Sequence, residues 1–345
     1  MWPSVTAANL ATAALTHHGS RPPSWLALAE GARPPLNSEQ RIFGDFARGW
    51  QRAAMAPVDR EALEMLFSEI TPASRALLLS QAGPGGSTVL TTLPTRPEYY
   101  MGDDVFRVTL LRRLRWPLPP TARVCRCGGE LDTLGDHRAA CATAGVLVRR
   151  AVPVERVVTQ ICREAGGRVA TDVFLRELNL GLPITDARRL EVVANSLPSF
   201  HGAQVAVDVT LVCPIQRDGC PRPGADTEPG LALAQAEERK SRTYPEFGQQ
   251  GRCKLVVLAL EVGGRWSTAT QTFLRALARE RALASPSHSR AALAHALQRR
   301  WGQMLTVAAN TAFSSSLLEL PATAVPSAGA LTPPLADVVA DARWT

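Results

Sequence analysis

Alternation of apolar and polar residues predicts three β-strands in the second half of the chain. Residues 204–212 are the clearest case, because the valines at alternate positions share one face while Asp208 and Thr210 point to the other. Shorter apolar runs over residues 189–193 and 254–261 predict two further strands. An acid within so apolar a strand is costly to bury unless it is paired or binds a metal, so Asp208 is a candidate functional residue.

Helical spacing of apolar residues occurs before, between and after these strands. It predicts helices over residues 103–114, 153–165, 231–244, 270–283 and 289–309, and two more between residues 39 and 79. In the second half, the order of helix, strand, strand, helix and strand predicts an α/β fold with a mixed central sheet flanked by helices. A helical region is expected to precede this sheet.

Stretches rich in proline and glycine divide this pattern into five segments. We expect a disordered leader, a helical linker region, a Cys/His knuckle, an α/β domain and a disordered tail over residues 1–37, 38–119, 120–147, 148–320 and 321–345, respectively. The leader and the tail are rich in alanine and proline, which is typical of loosely ordered chain.

Composition narrows the class of protein. The chain has 345 residues and a formal net charge of +7, which weakly favours a polyanionic partner. It shows no secretory signal and no stretch near the ~20 apolar residues of a membrane span, so we expect an intracellular protein without a membrane partner. Only Lys240 and Lys254 are lysines among 38 basic residues, which draws attention to both.

Four potential zinc ligands follow the predicted linker. Cys125, Cys127, His137 and Cys141 have the spacing C-x-C-x9-H-x3-C. Thiolates and imidazole suit a tetrahedral Zn²⁺, and four protein ligands leave no open position, so the pattern predicts a structural zinc site. The alternative is a set of unligated residues.

Arginines surround this cluster and are candidates for contacts with nucleic-acid phosphates. The candidates are Arg126, Arg138, Arg149 and Arg150. The alternative is a solvated basic surface without a partner.

The predicted strands and the helix after them suggest a second metal site. Glu191 and Asp208 lie on neighbouring strands and could hold Mg²⁺ or Mn²⁺, while Lys240 could stabilise charge on a phosphate. Lys240 shares one helix face with Glu237 and Tyr244. The alternative is one partly buried salt bridge between Asp208 and Lys240 without any chemistry.

One further acid begins the helix that precedes the strands. Glu155 lies in the first turn of the helix predicted over 153–165, where an acid favours the helix dipole. A surface residue is therefore the first interpretation of Glu155, and a functional residue is the alternative.

These motifs resemble the C-terminal region of proteins encoded by non-long-terminal-repeat retrotransposons. In those proteins a Cys/His knuckle precedes a restriction-like endonuclease of the PD-(D/E)xK class. The resemblance extends from about Ser80 to Leu320. It rests on Ser80-Gln81 with Gly83, residues 106–119, the knuckle, residues 205–211, the Lys240-x-x-x-Tyr244 pair and Leu260-Glu261-x-Gly263-Gly264.

The resemblance implies a set of site residues, namely Glu191, Asp208, Lys240, Tyr244 and Glu261. Leu190-Glu191 replaces the usual Pro-Asp step, so Asp186 is the rival of Glu191 as the first acid. Thr210 stands where the class usually has its lysine, and members that move this lysine to the following helix match Lys240. The roles of Tyr244 and Glu261 are left open.

The resemblance also implies a function. In such elements a reverse transcriptase domain precedes this region, and the endonuclease nicks target DNA to prime copying. We see no polymerase core and expect a fragment, a truncated copy or a host gene derived from such an element. The expected activity is nuclear, metal-dependent cleavage of DNA, with RNA as the other candidate substrate. The alternative is a catalytically inactive protein that binds nucleic acid through the knuckle and the arginine-rich surface.

Overall fold

The computed structural model divides the chain into two compact units, Met1–Thr71 and Pro72–Thr345. It describes residues 59–118, 124–125, 127–142, 150–178, 180–248 and 251–318. In the first unit only residues 59–71 are described, and helix α1 covers residues 59–69. The predicted disordered leader and tail lie outside the described residues.

The second unit contains the remaining described helices. In chain order they are α2 (Pro72–Gln81), α3 (Thr88–Thr91), α4 (Asp103–Arg113), α5 (Asp136–Ala140), α6 (Val152–Glu164), α7 (Leu231–Thr243), α8 (Thr268–Leu283) and α9 (Arg290–Leu317). Short 3-10 turns cover Pro97–Tyr99, Leu175–Glu177, Pro198–Phe200, Pro245–Gly248 and Ser287–Ser289. The five helices predicted from residue 103 onward are confirmed, although α9 runs eight residues beyond its predicted end.

Four strands form one mixed sheet in the order β1, β2, β3, β4. They are β1 (Arg168–Phe174), β2 (Arg189–Asn195), β3 (Gln204–Val212) and β4 (Cys253–Glu261). The pairs β1–β2 and β2–β3 are antiparallel, and β3–β4 is parallel. Helix α7 lies in the crossover between the parallel strands. The predicted mixed α/β architecture is therefore confirmed.

Strand β1 is an addition to the predicted set. Its residues are mostly exposed or half-buried, so no apolar run marks it in the sequence. Asp172, within the strand, has a positive φ of 55°, and its position is absent from the otherwise regular pairing with β2. An edge strand with this composition forms because β2 offers it a partner, which local periodicity does not reveal.

The two faces of the sheet are covered by different helices. Helices α6, α8 and α9 pack on one face, where the alternate valines of β3 meet the fully buried Trp301. Helix α7 covers part of the opposite face, where Leu233 packs near Val212 and Val257. Asp208, by alternation, lies on this second face.

A buried ion-pair network joins the first face to the segment before α4. Glu164, at the end of α6, accepts hydrogen bonds from Arg300 at 3.0 Å and from the indole N–H of Trp301 at 2.7 Å. Arg300 also donates to Glu98 at 2.6 Å, and both side chains of the Arg300–Glu164 pair are almost fully buried. Glu98 lies in the Pro97–Tyr99 turn, so the network connects three separate parts of the chain.

Helices α2 and α4 pack against the chain that follows β4. Arg113 donates to the carbonyl of Gly263 at 2.8 Å, and Arg265 donates to the carbonyl of Leu79 at 3.2 Å. A methyl group on Gly263 would lie 2.1 Å from the Ser80 hydroxyl, so the backbones approach as closely as glycine permits. From Pro72 onward the predicted linker, knuckle and α/β domain thus belong to one compact unit.

No helix in the described part of the chain combines the length and the apolar character that a membrane span requires.

Candidate functional site

The candidate site lies where β2 and β3 separate. These strands pair only from Val192 opposite Val207 to Ala194 opposite Val205, although both extend further. Continuing this register by one position sets Glu191 opposite Asp208, the first residues beyond the last pair. The two acids named by the sequence therefore face each other at the start of a fork in the sheet.

Asp208 is fully buried, and each of its carboxylate oxygens accepts a hydrogen bond. Its Oδ2 accepts from the Lys240 ammonium at 2.7 Å, and its Oδ1 accepts from the Thr210 hydroxyl at 3.0 Å. Lys240 lies in the last turn of α7, where a cation interacts favourably with the helix dipole. The salt bridge proposed from the sequence is therefore present.

Two more carboxyl groups share the electrostatic environment of Asp208. Burial, and then the charge of Asp208, raise the pKa of Glu191 to about 7, and its Oε2 is buried without a hydrogen-bond partner among the described residues. The same two causes raise the pKa of Glu155 at the start of α6. Glu155 is half-buried, and it lies near enough to Asp208 for the two charges to interact.

Tyr244 caps the C-terminal end of α7 and borders the acids. Burial raises the pKa of its phenol, and the nearby charges of Asp208 and Glu191 raise it further, so the hydroxyl keeps its proton. Its ring centre lies 6.0 Å from the Lys240 ammonium and 5.9 Å from the Arg188 guanidinium. Tyr244 can therefore donate a hydrogen bond but cannot act as a base near neutral pH.

Asp186 lies apart from this group, within a different ion-pair network. Arg188 donates to Asp186 at 2.7 Å and to Glu246 at 2.5 Å, and hydrogen bonds from Arg188 lower the pKa of Asp186. Of the two rivals for the first acid, Glu191 is the one that faces Asp208.

Glu261 also lies apart from Asp208. Val257 pairs with Asp208, and Glu261 is four residues further along β4, a separation of about 13 Å at ~3.3 Å per residue. Burial raises the pKa of Glu261 to about 7, and Arg265 lies 3.7 Å from its carboxylate. The structure does not bring Glu261 together with the other predicted site residues.

The acid group suits a hard cation chemically but is not assembled around one. Carboxylate oxygens are the ligands that Mg²⁺ and Mn²⁺ prefer, and the unpartnered Glu191 Oε2 is available as a ligand. In the described part of the chain, however, only one set of three or more His, Cys, Asp and Glu side chains has its ligand atoms within 4.8 Å of one another, and that set is the Cys/His cluster.

The Cys/His cluster comprises Cys125, Cys127, His137 and Cys141, as the spacing predicts. The Cys125 and Cys141 sulfurs lie 3.9 Å apart, and the Cys127 sulfur lies 3.1 Å from Nε2 of His137. Three soft sulfur ligands and one imidazole suit tetrahedral Zn²⁺. The cluster could therefore hold a zinc ion with all four positions filled by protein.

Acidic side chains fix the helix that carries His137. Asp132 accepts hydrogen bonds from the backbone N–H groups of Leu134, Asp136 and His137, which is a capping arrangement for α5. Asp136, next to His137, is buried and is held by Arg112 at 2.6 Å and by Arg115 at 2.5 Å. The cluster is thereby attached to α4.

Of the four arginines predicted to contact nucleic acid, the structure describes two, and neither of these is fully exposed. Arg126 and Arg149 lie outside the described residues. Arg150 is buried, donates to the Ala139 carbonyl at 2.7 Å and lies over the Phe313 ring, so its proposed phosphate contact is wrong. Arg138 is half-buried and donates to the Ser316 carbonyl at 3.3 Å.

The comparisons with known proteins add no family to this description. No protein-family model matches the chain, and no curated protein matches it. The geometry and chemistry of the two sites are therefore the basis for assigning a function.

Proposed function

We propose that this protein is a metal-dependent DNA endonuclease with a restriction-like fold, derived from a non-long-terminal-repeat retrotransposon and acting in the nucleus. The observation that carries the proposal is the buried Asp208 at the fork of β2 and β3, with Glu191 opposite and Lys240 bonded to it. A fully buried aspartate with a lysine from the following helix matches the arrangement that the resemblance implies.

Each residue has a role that follows from its position. Asp208 and Glu191 would hold Mg²⁺ or Mn²⁺, with Glu155 as the third acid, and the bound ion would supply charge neutralisation at the phosphate and an activated water. Lys240 would stabilise negative charge on the phosphate, and Tyr244 would donate a hydrogen bond without accepting a proton. Zinc at the Cys/His cluster would be structural.

A second candidate function has its own support. The ammonium of Lys240 and the hydroxyl of Thr210 already contact both oxygens of Asp208, and the three acids do not all bring a ligand atom within 4.8 Å of one another. This arrangement favours a catalytically inactive protein that binds DNA or RNA through its basic side chains. Such a protein would bind nucleic acid in a salt-sensitive manner without cutting it.

Plasmid nicking tests the first proposal. We expect the wild-type protein to nick supercoiled plasmid DNA when Mg²⁺ or Mn²⁺ is present. Asp208→Asn and Lys240→Met should each lower the nicking rate at least about 100-fold, because each removes a group that stabilises the transition state. Asp218→Asn in an exposed loop and Lys254→Met on the exposed side of β4 are matched controls and should nick like the wild type.

The two functions give different results in this assay. Equal nicking by the wild type and by both site variants would contradict the endonuclease. Absent nicking together with salt-sensitive binding would support the inactive binding protein, and absent binding as well would contradict both functions.

A further inference from the structure

The cation nearest the acid group of Glu155, Glu191 and Asp208 is the side chain of Lys240. Lys240 donates to Asp208 at 2.7 Å, and among the described residues no other cation lies within 4.0 Å of the carboxylates of Glu155, Glu191 or Asp208. Thr210 takes the second oxygen of Asp208, while Oε2 of Glu191 has no hydrogen-bond partner. The ammonium group therefore stands at the aspartate that a divalent ion would require.

The exposure and the flexibility of the Lys240 side chain allow it to leave this position. Its side chain is 24% exposed, whereas that of Asp208 is fully buried, so the ammonium group is on the solvent side of the pair. A lysine carries a compact charge on a flexible four-carbon stem with freely rotating donors. The ring of Tyr244, 6.0 Å from the ammonium, offers it a second favourable surface nearby.

Removing the Lys240 ammonium from Asp208 without another cation in its place would destabilise the fold. An unpaired charge on a fully buried carboxylate is strongly destabilising, so the charged form of Asp208 needs a cation beside it. Lys240 and a divalent ion can each meet this need at the same carboxylate. They compete because Lys240 already lies 2.7 Å from one oxygen of Asp208, and two cations at the same carboxylate oxygen repel each other.

We propose that Lys240 is a tethered counter-ion that competes with the divalent metal for Asp208 and is released toward the substrate phosphate when the metal binds. The inference rests on the proposed metal site but goes beyond it, because it predicts that one side chain opposes metal binding while being needed for cleavage. Lys240 then reaches the phosphate only in molecules that have bound metal, which prevents the cation from engaging nucleic acid unproductively.

If Lys240 competes with the metal, then removing its ammonium group should strengthen metal binding. Removing a residue that supports the metal site would weaken it. Lys240→Met should bind Mn²⁺ about tenfold more tightly than the wild type, within the usual range of coupling between two sites. Asp208→Asn should lose this binding, and Lys254→Met should bind like the wild type. Mn²⁺ affinity is measured on the whole protein, without nucleic acid, from the paramagnetic resonance signal of the free ion.

A second measurement needs no substitution, since the chain has only two lysines. Protein labelled with ¹³C and ¹⁵N in lysine should give two side-chain signals by nuclear magnetic resonance. Titration with Mg²⁺ should move the Lys240 signal toward that of a solvent-exposed ammonium and leave the Lys254 signal unchanged. This readout also covers the case in which Lys240→Met does not fold.

The outcomes separate the inference from the proposed function. Unchanged or weaker Mn²⁺ binding in a folded Lys240→Met, or a Lys240 signal that does not respond to Mg²⁺, would overturn the competition even if Asp208→Asn abolishes binding. Mn²⁺ binding that survives in Asp208→Asn would overturn the metal site itself, and with it the proposed function.

Discussion

At the scale of single residues, the partner available to each buried acid determines its behaviour. Asp208 is paired with a cation and a hydroxyl, whereas Glu191 and Glu261 each have a buried carboxylate oxygen without a hydrogen-bond partner among the described residues. For both glutamates burial is the largest cause that raises the pKa to about 7. A buried carboxylate is costly to charge, and for Glu261 this cost outweighs the charge of Arg265 at 3.7 Å, so each folded glutamate retains its proton to higher pH than the unfolded chain does.

Glu261 gives this effect a measurable consequence. Its pKa is about 7 in the folded chain against an ordinary value of 4.5, so the free energy of unfolding that it contributes falls as the pH rises through this window. Glu261→Gln has no charge to bury. Relative to the wild type, we expect the variant to gain about 3 kcal/mol in free energy of unfolding between pH 4.5 and pH 8, measured by urea denaturation.

The matched control for this prediction is Glu177→Gln, since Glu177 is exposed in a 3-10 turn. Its difference from the wild type should stay constant over the same range. A constant difference for Glu261→Gln as well would show that burial does not govern the ionisation of Glu261.

Asp208 and Lys240, which form an ion pair in the structure, can be singled out in the sequence for a definite physical reason. Asp208 is recognisable because a charged residue interrupts an apolar strand, and Lys240 because lysine is rare in this chain. Glu155 is not recognisable, since an acid at a helix start has an ordinary electrostatic explanation, and its approach to Asp208 depends on how α6 packs against the sheet. Burial of Arg150 depends on tertiary packing in the same way.

At the scale of elements, the short helix α5 shows how a small cluster is held in place. The helix has only five residues, too few to be stable by itself, and it is fixed by the Asp132 cap and by the pairing of Asp136 with Arg112 and Arg115. Zinc bound by the Cys/His cluster would add a further connection through His137. Metal binding and the packing of α5 against α4 should therefore depend on each other.

Zinc binding tests this dependence. We expect one Zn²⁺ per chain, and its removal by a chelator should lower the unfolding temperature by at least ~5 °C, because a structural metal contributes directly to folding. Cys127→Ser should lose the zinc, as measured by a chromogenic chelator. Cys220→Ser is the matched control, because Cys220 is an exposed cysteine outside the cluster.

Retention of one equivalent of tightly bound zinc by Cys127→Ser would contradict the assignment of this ligand. An unfolding temperature that the chelator leaves unchanged in the wild type would contradict a structural role for the metal.

Prediction of elements from the sequence succeeds where one face is strongly apolar. Strand β3 and helices α6 and α7 agree with the expected bounds to within one residue, because alternation or helical spacing is unbroken there. Strand β1 lacks such a pattern and is defined by its hydrogen bonds to β2. Local periodicity contains no information about a partner that lies elsewhere in the chain.

At the scale of the whole molecule, the second unit is held together by contacts between distant segments. Arg113 bonds to Gly263, and Arg300 bonds to Glu98 and Glu164, over separations of more than 130 residues. The sequence predicts a linker, a knuckle and an α/β domain as successive segments because composition changes between them. Their union in one compact unit depends on side chains that look like ordinary surface charges in the sequence.

The Glu164 network should therefore contribute strongly to stability. Glu164→Gln removes the charge that faces the buried Arg300, and we expect the free energy of unfolding to fall by about 2–4 kcal/mol in urea denaturation. Glu238→Gln breaks an exposed ion pair with Arg242 on α7 and should cost less than about 1 kcal/mol. Equal effects of the two substitutions would show that burial of the network adds nothing to its strength.

The fork between β2 and β3 has a consequence for how this protein could change over generations. A shift of one residue in their pairing would turn Glu191 to the opposite face of the sheet, while the nine-residue ladder between β3 and β4 could remain as it is. The sheet scaffold and the acid pair thus depend on different sets of contacts. A lineage could lose the acid pair in a single step and still pass on a well-folded molecule.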